Sequence, residues 1–178
     1  HAPFAFARAI WHYGRGVAYA SMENKESALK ELAAIERLEP EVDEIFMGNV
    51  YPAKSLIGIA KSLLRGEIAF RSGAMAAAVT SFEQAVAMQD ALPYTEPPFW
   101  YYPTRQSLGA ALLADGRAGE AQLVFEADLE QYPMNGWSLY GLTEALNAQG
   151  HTAPAEAARQ RFETVWQFSD VTLSSSVL

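Results

Sequence analysis

Apolar residues recur along the chain at the three- and four-residue spacings of amphipathic helices, and short segments rich in glycine or proline interrupt them. Eight helices are predicted, near 5–22, 24–38, 53–72, 74–90, 103–115, 117–132, 135–149 and 152–168. No stretch alternates apolar and polar residues with the β-branched enrichment that is typical of strands. The pattern therefore predicts an all-α fold.

The predicted helices repeat one set of residue types at similar spacings. Three stretches carry it: Gly16, Tyr19, Ala28, Leu32, Ile35 and Pro40; Gly66, Ala69, Ala78, Phe82 and Ala85; and Leu108, Gly109, Leu112, Ala121, Phe125 and Pro133. A fourth copy begins at Trp137 and includes Gly141. Small residues let the two helices of a hairpin approach closely, and a large aromatic residue then fills the gap toward the next hairpin. The pattern predicts four helical hairpins, with Gly73, Gly116 and Gly150 at connecting turns.

These spacings resemble the tetratricopeptide repeat, W-x2-L-G-x2-Y followed by A-x3-F and P. The copies span approximately 9–42, 59–92, 102–135 and 135–168. The resemblance implies a single domain, 1–178, in which the hairpins stack into a short right-handed superhelix.

A closer resemblance rests on the stretch 96–150 and on the segments HYGRG and RGEIAF. Together they look like the C-terminal part of a group of bacterial tetratricopeptide proteins of undefined activity. Members of that group carry further repeats before the position of His1, so the resemblance implies that this chain is a fragment.

Two inserts separate the first three copies. The first, 41–54, contains Gly48 and Pro52 and is predicted to form a short helix, a turn and an added turn on the next helix. The second, 92–103, is predicted to be an ordered loop, because Pro97 and Pro98 are incompatible with a helix there.

The second insert, called the aromatic loop below, contains Tyr94, Phe99, Trp100, Tyr101 and Tyr102. Two interpretations are open, and both can hold for different rings. The rings fill the gap between the second and third hairpins, or they form an aromatic platform at the mouth of a concave surface. In the second interpretation Glu96 is the polar group of the platform.

Charge and cysteine content exclude several classes of function. A net charge of -8 argues against nucleic-acid binding, because phosphates require a concentrated basic face. The absence of cysteine excludes thiolate catalysis, iron–sulfur clusters and zinc–thiolate sites. No apolar run reaches the roughly 18 to 20 residues of a membrane span, so no membrane insertion is predicted. Composition does not distinguish the bacterial cytoplasm from the periplasm.

The sequence offers little for catalysis. The candidate bases are His1, His12 and His151, and none lies in a known catalytic signature. His12 is expected to be a packed or partly exposed helix residue, with Glu67 as its nominated acid–base partner. Metal-binding and phosphate-binding motifs are missing as well, so neither a metal nor a cofactor is predicted. The chain is predicted not to be an enzyme.

An arginine precedes the glycine in two copies, at Arg15 and Arg65, where the family pattern usually has leucine. An unpaired buried charge would cost several kcal/mol, so each guanidinium is expected to find a carboxylate. Glu26 and Glu67 are the expected partners. In the alternative interpretation both arginines face one groove and bind the carboxylate or phosphate of a ligand.

In the tetratricopeptide family the first helix of each hairpin lines a concave groove, so the resemblance implies a non-catalytic scaffold that binds a peptide or protein partner there. The predicted partner-binding residues are Tyr13, Arg65, Glu67, Phe70, Arg71, Glu96, Trp100, Tyr102 and Gln106. The alternative is a small-molecule pocket closed by the aromatic loop, with Trp100 and Tyr102 stacked on the ligand.

The first helix has no preceding hairpin in this chain. It is therefore expected to expose an apolar face around Phe4, Phe6, Ile10 and Tyr13, and this face would allow a homodimer.

Overall fold

The structure, a computed structural model, describes residues 4–42 and 51–177. Within these ranges it contains eight α-helices, one 3-10 turn at Glu39–Glu41, and no strand. The helices are α1 (Ala5–Ser21), α2 (Lys25–Leu38), α3 (Ala53–Arg71), α4 (Met75–Asp90), α5 (Arg105–Ala114), α6 (Ala118–Gln131), α7 (Gly136–Ala148) and α8 (Thr152–Trp166). The all-α prediction is confirmed, and each helix ends close to the predicted position. Most of the first insert, 43–50, lies outside the described residues, as does His1.

The chain divides into two compact units, residues 1–104 and 105–178. In the first unit α1 pairs with α2 and α3 pairs with α4, and α3 also packs against both α1 and α2. In the second unit α5 pairs with α6 and α7 pairs with α8, and α7 packs against both α5 and α6. Each unit is therefore built from two helical hairpins in contact.

Glycines mark the closest approaches between helices, as the sequence predicts. A Cβ at Gly66 on α3 would overlap the ring of Phe82 on α4. The fully buried ring of Phe125 on α6 lies against Gly109 on α5 and also against Gly141 on α7. Phe125 therefore fills the gap between consecutive hairpins. In the first hairpin the neighbour of Gly16 is not an aromatic residue but Leu64, which comes from α3.

The hairpin turns share one backbone conformation. Gly73, Gly116 and Gly150 have φ angles of 74°, 76° and 76°, in the left-handed region that favours glycine. Each lies directly before the N-cap residue of the following helix. In the first hairpin the corresponding residue is Glu23, whose φ is 57°. One of the four turns thus places a side chain where the other three have none.

Replacing Glu23 with glycine is expected to raise the free energy of unfolding by roughly 0.5–1 kcal/mol. The left-handed conformation costs a residue with a Cβ about 1–2 kcal/mol, and the greater freedom of glycine in the unfolded chain offsets part of the gain. The matched change, Gly73→Ala, is expected to lower the free energy of unfolding by about 1 kcal/mol. Urea unfolding followed by circular dichroism measures both, and a loss of stability in Glu23→Gly would contradict the expectation.

Candidate functional site

The aromatic loop folds back onto α1 within the first unit. Trp100 is only 5% exposed, and its ring centroid lies 5.6 Å from that of Tyr13 in the middle of α1. The Tyr13 hydroxyl is 3.4 Å from the Tyr101 hydroxyl. Phe99 packs edge-on against Tyr51, which packs in the same way against Phe6 near the start of α1. Edge-to-face contacts between rings therefore join the loop to the first helix.

A single glutamine holds the end of this loop. Gln89, on the last turn of α4, donates from Nε2 to the carbonyl oxygen of Tyr102 at 3.0 Å. Its Oε1 accepts hydrogen bonds from the backbone N–H and the hydroxyl of Thr104, each at 2.7 Å. Thr104 is fully buried. These three bonds make the loop an ordered part of the unit, as the sequence predicts.

The opposite side of the loop carries exposed aromatic side chains. Tyr94 and Tyr101 are 84% and 75% exposed. The Tyr94 hydroxyl donates to Glu96 Oε1 at 2.7 Å, and this bond, together with the carboxylate charge, raises the pKa of Tyr94. The loop is thus anchored by the buried ring of Trp100. Its exposed surface, called the rim below, is formed by Tyr94, Glu96 and Tyr101.

Tyr13, one of the predicted partner-binding residues, lies beneath the loop. Burial raises the pKa of its hydroxyl well above the ordinary value, and the nearby hydroxyls of Tyr102 and Tyr101 raise it further. Tyr13 therefore stays protonated at neutral pH, and its role is to pack against the rings and to hydrogen-bond.

Two polar groups of the loop have no hydrogen-bond partner among the described residues. They are the indole N–H of Trp100 and the hydroxyl of Thr95, and both atoms are buried. A buried donor or acceptor left unpaired costs about 1–3 kcal/mol. A ligand atom that reached either of these two buried groups would supply the missing hydrogen bond.

The predicted groove residues on α3 pair with other residues of the first unit. Arg71 Nε donates to Glu67 Oε1 at 2.7 Å, and Phe70 beside them is half-buried. Arg65 forms its ion pair with Glu36 on α2. The expectation that Glu67 would pair with Arg65 is therefore wrong.

The expectation that Glu26 would pair with Arg15 is also wrong. Glu26 binds Lys30 one turn away, and Arg15 binds Glu31 at 3.0 Å. Like Arg65, Arg15 does find a carboxylate, as the sequence argument requires. The Arg15 side chain is 40% exposed, so solvent screens its side of the pair.

Glu31 is a buried charged residue that the sequence analysis missed. It is 7% exposed, and its carboxylate oxygens lie 2.5 Å from His12 Nδ1 and 3.0 Å from Arg15 Nη2. Its position could have identified it, because it lies between Ala28 and Leu32 on the buried face of α2. The nominated His12–Glu67 acid–base pair is wrong, because His12 bonds to Glu31.

Gln106 lies in the second unit and is 7% exposed. Its Nε2 donates to Asn135 Oδ1 at 3.1 Å, and Asn135 Nδ2 donates to Asp128 Oδ2 at 2.7 Å. Ser138 donates to the same Asp128 oxygen at 2.5 Å. Gln106 therefore belongs to a buried polar network at the start of α7.

This network predicts a pH dependence of stability. Burial raises the pKa of Asp128, and the hydrogen bonds from Ser138 and Asn135 and the charge of Arg105 oppose the increase only in part. The folded chain then holds its proton more tightly than the unfolded chain does. Stability should fall as pH rises from about 4, the ordinary aspartate value, through the raised pKa, by at most about 1.4 kcal/mol per pH unit within that window.

Asp128→Asn removes the titrating group and keeps a side-chain oxygen to accept the bonds from Asn135 and Ser138. The difference in unfolding free energy, wild type minus Asp128→Asn, is expected to decrease between pH 4 and pH 7, as measured by urea unfolding. A difference that rises over this range would show that the pKa is lowered instead.

Within 4–42 and 51–177, no three histidine, aspartate or glutamate residues come together in a way that could hold a metal ion. None of the helices in these ranges is long and apolar enough to cross a membrane. Comparison of the chain with protein-family models, curated proteins and solved structures finds no match.

Proposed function

We propose that the chain is a non-catalytic helical scaffold of the tetratricopeptide type, and that it binds a peptide or protein partner. Three features support the repeat assignment: hairpins in which the third helix of each unit packs against the first two, glycines at the close approaches, and glycines with positive φ at three turns. The right-handed superhelix and the single domain belong to this proposal.

The observation that carries the binding proposal is the exposed rim on an anchored loop. Tyr94 and Tyr101 contribute little to the core because they are largely exposed, yet the loop that holds them is fixed by Trp100 and Gln89. Tyrosine offers a large contact area at low entropic cost and is enriched in interfaces. Because the loop is already ordered, binding need not order it.

The negative charge of Glu96 on the rim suggests what kind of group the partner places beside it. Glu96 is exposed and accepts one hydrogen bond from Tyr94. A basic or donor group of the partner would fit beside it. On α3, the predicted residues Arg65, Glu67, Phe70 and Arg71 remain partly exposed and form a second part of the proposed surface.

The proposal can be tested by selecting peptides from a random library displayed on phage, with the full chain as the immobilised target. The double variant Tyr94→Ala/Tyr101→Ala is expected to bind the selected peptides at least about tenfold more weakly, because tyrosines at interface centres contribute roughly 1–2 kcal/mol or more each. Its Tm should stay unchanged. Leu123→Ala, at a position 65% exposed on α6, is the matched control. Unchanged affinity in the double variant would refute the role of the rim.

The unpaired groups of the loop favour a second candidate function, a site for a small ligand with hydrogen-bond acceptors. Such a ligand would accept from Trp100 Nε1, and the hydroxyl of Thr95 would be the other group available to it. Ligand-detected NMR with a library of small aromatic amides and carboxylates tests this. Binding should be lost in Trp100→Phe, which removes the N–H, and kept in Tyr101→Phe. Binding that survives Trp100→Phe would exclude this site.

A further inference from the structure

The aromatic loop covers the middle of α1 in the first unit. Its Trp100 is the tenth residue after the end of α4 and packs against Tyr13, with the ring centroids 5.6 Å apart. Tyr13 lies three residues before Gly16, the glycine of the first repeat. A non-helical segment of the chain therefore occupies this position on the first helix of the unit.

This contact also covers part of the apolar face that the sequence predicts to be exposed on α1. Tyr13 is buried, Phe6 and Ile10 are partly covered, and Phe4 alone is fully exposed. The prediction is wrong because the aromatic loop, which lies far away in the sequence, packs on this side of α1. The homodimer predicted from that face therefore has no support in the structure.

The second unit places a counterpart of this loop on α5. Ser176 is the tenth residue after the end of α8, the same separation as in the first unit. It is 2% exposed, and its hydroxyl donates to the carbonyl oxygen of Gln106 at 3.3 Å. Gln106 lies three residues before Gly109, which the repeat aligns with Gly16. Segment 167–177 thus contacts α5 at the position where the aromatic loop contacts α1.

The two segments differ in how firmly they are held. The aromatic loop buries an indole, and three hydrogen bonds to Gln89 fix its end. Within segment 167–177, Ser176 alone is buried, and its side chain is small. Its bond to α5 is also longer than the roughly 2.7–2.8 Å that is typical of a hydroxyl donor. The second segment is therefore the more weakly held of the two.

The other hydrogen bonds of the segment lie near α8 or within the segment itself. The indole N–H of Trp166 donates to the carbonyl oxygen of Val171 at 2.7 Å. The backbone N–H of Val177 donates to the hydroxyl of Ser175 at 3.3 Å. The bond from Ser176 is therefore the one that joins the segment to α5.

We propose that segment 167–177 is an intramolecular ligand of the second unit, and that the surface it covers on α5 binds an extended partner peptide with a small hydroxyl residue at the place of Ser176. The inference rests on the proposed function, in which the first helix of each hairpin lines the partner-binding surface. Two observations carry it: both units hold a non-helical segment at this position, and in the second unit one small residue holds it. A partner peptide therefore has little to displace.

The covalent connection makes this segment a strong competitor. Residues 167–177 directly follow α8, so their effective concentration at α5 is high, about millimolar for a short flexible connection. A partner peptide binds only the fraction of chains from which the segment has dissociated, and its apparent affinity falls by that fraction. Releasing the segment should therefore strengthen the binding of a peptide added in trans.

The full chain carrying Ser176→Asp tests this. A carboxylate at a position 2% exposed would lose its hydration, so the segment should leave α5 while circular dichroism shows that the helices stay folded. The probe is a fluorescein-labelled synthetic peptide of residues 167–177, and fluorescence anisotropy measures its binding. We expect Ser176→Asp to bind it at least about tenfold more tightly than the wild type does. Equal binding to the two chains, or no binding to either, would overturn the proposal.

Ser174 supplies the matched control, because it is exposed and lies two residues away. The Ser174→Asp chain carries the same added charge and should bind the probe as the wild type does. In the peptide itself, Ser176→Asp should abolish binding and Ser174→Asp should not. A Ser174→Asp chain that binds the probe as tightly as Ser176→Asp would overturn the role of Ser176.

A spin label shows directly whether the segment leaves. The chain has no cysteine, so a nitroxide can be placed on Thr172→Cys alone, at an exposed position of the segment. Its mobility, measured by electron paramagnetic resonance, should increase when Ser176→Asp is added and stay the same when Ser174→Asp is added. Unchanged mobility with Ser176→Asp would show that Ser176 does not hold the segment, and this too would overturn the proposal.

This test is separate from that of the proposed function. Peptides selected against the rim depend on Tyr94 and Tyr101 in the first unit, so they should bind the Ser176→Asp chain and the wild type alike. Rim binding together with a failed test of segment 167–177 would overturn this inference alone. A phage library that yields no binding peptide would instead count against the scaffold itself.

Discussion

Replacing Trp100 with alanine is expected to lower the free energy of unfolding of the first unit by about 3 kcal/mol or more, the usual loss for a buried aromatic residue. The indole is 5% exposed and packs against Tyr13, with the rings of Tyr101 and Tyr102 at 5.3 and 6.4 Å. Its removal would open a void beneath the aromatic loop and admit water to Tyr13. Urea unfolding followed by circular dichroism measures the loss.

Two variants separate this packing role from other effects of the loop. Tyr101→Ala removes a ring that is 75% exposed and should change the free energy of unfolding by less than about 0.5 kcal/mol. Trp100→Phe should cost less than Trp100→Ala, because it keeps a ring and removes an unpaired N–H. Equal losses in Trp100→Ala and Tyr101→Ala would show that the loop is not built on Trp100.

The local features of the fold could be predicted from the sequence. Helix ends follow from nearby residues, such as Asn24, whose side chain accepts a hydrogen bond from the backbone N–H of Ser27 and so caps α2. Three hairpin turns could be predicted from their glycines, Gly73, Gly116 and Gly150, because few other residues tolerate a positive φ. Such signals act over a few residues, so a single sequence contains them.

The partners of charged and aromatic side chains could not be predicted, because they depend on where distant segments meet. Arg15 lies within reach of α2, but whether Glu26 or Glu31 faces it depends on the rotation of α2 about its axis. Trp100 packs against Tyr13 although most of the first unit lies between them in the sequence. The composition of the aromatic loop predicts buried rings without identifying the surface that buries them.

In both units the segment that follows the last helix runs back toward the first helix of the same unit. These helices are α4 and α1 in the first unit and α8 and α5 in the second. In the first unit the aromatic loop reaches Tyr13. In the second unit the indole N–H of Trp166 donates to the carbonyl oxygen of Val171 at 2.7 Å. The hydroxyl of Ser176, a residue 2% exposed, donates to the carbonyl oxygen of Gln106 on α5 at 3.3 Å. Antiparallel hairpins explain this, because the fourth helix ends where the first and third begin. In each unit this segment therefore contacts the first helix, at Tyr13 in the middle of α1 and at Gln106 near the start of α5.

Gly109→Ala and Gly141→Ala are each expected to lower the free energy of unfolding of the second unit by about 1–3 kcal/mol, the usual cost of overpacking a core. Gly109 on α5 and Gly141 on α7 both lie against the fully buried ring of Phe125, and a Cβ at either would overlap it. The ring is rigid, fully buried and in contact with both helices, so it has little room to move. A collision with it should therefore cost more than one with a flexible side chain.

Gly14→Ala is the matched control for these substitutions. Gly14 is also within a helix, but a Cβ there would meet nothing within 4 Å, so the better helix propensity of alanine should raise the free energy of unfolding by up to about 1 kcal/mol. Phe125→Leu supplies a double-mutant cycle: in that background each Gly→Ala change should cost at least about 0.5 kcal/mol less than in the wild type. A penalty that stays the same without the ring would mean that Phe125 does not set the spacing of α5 and α7, because the cost would then come from the helices themselves.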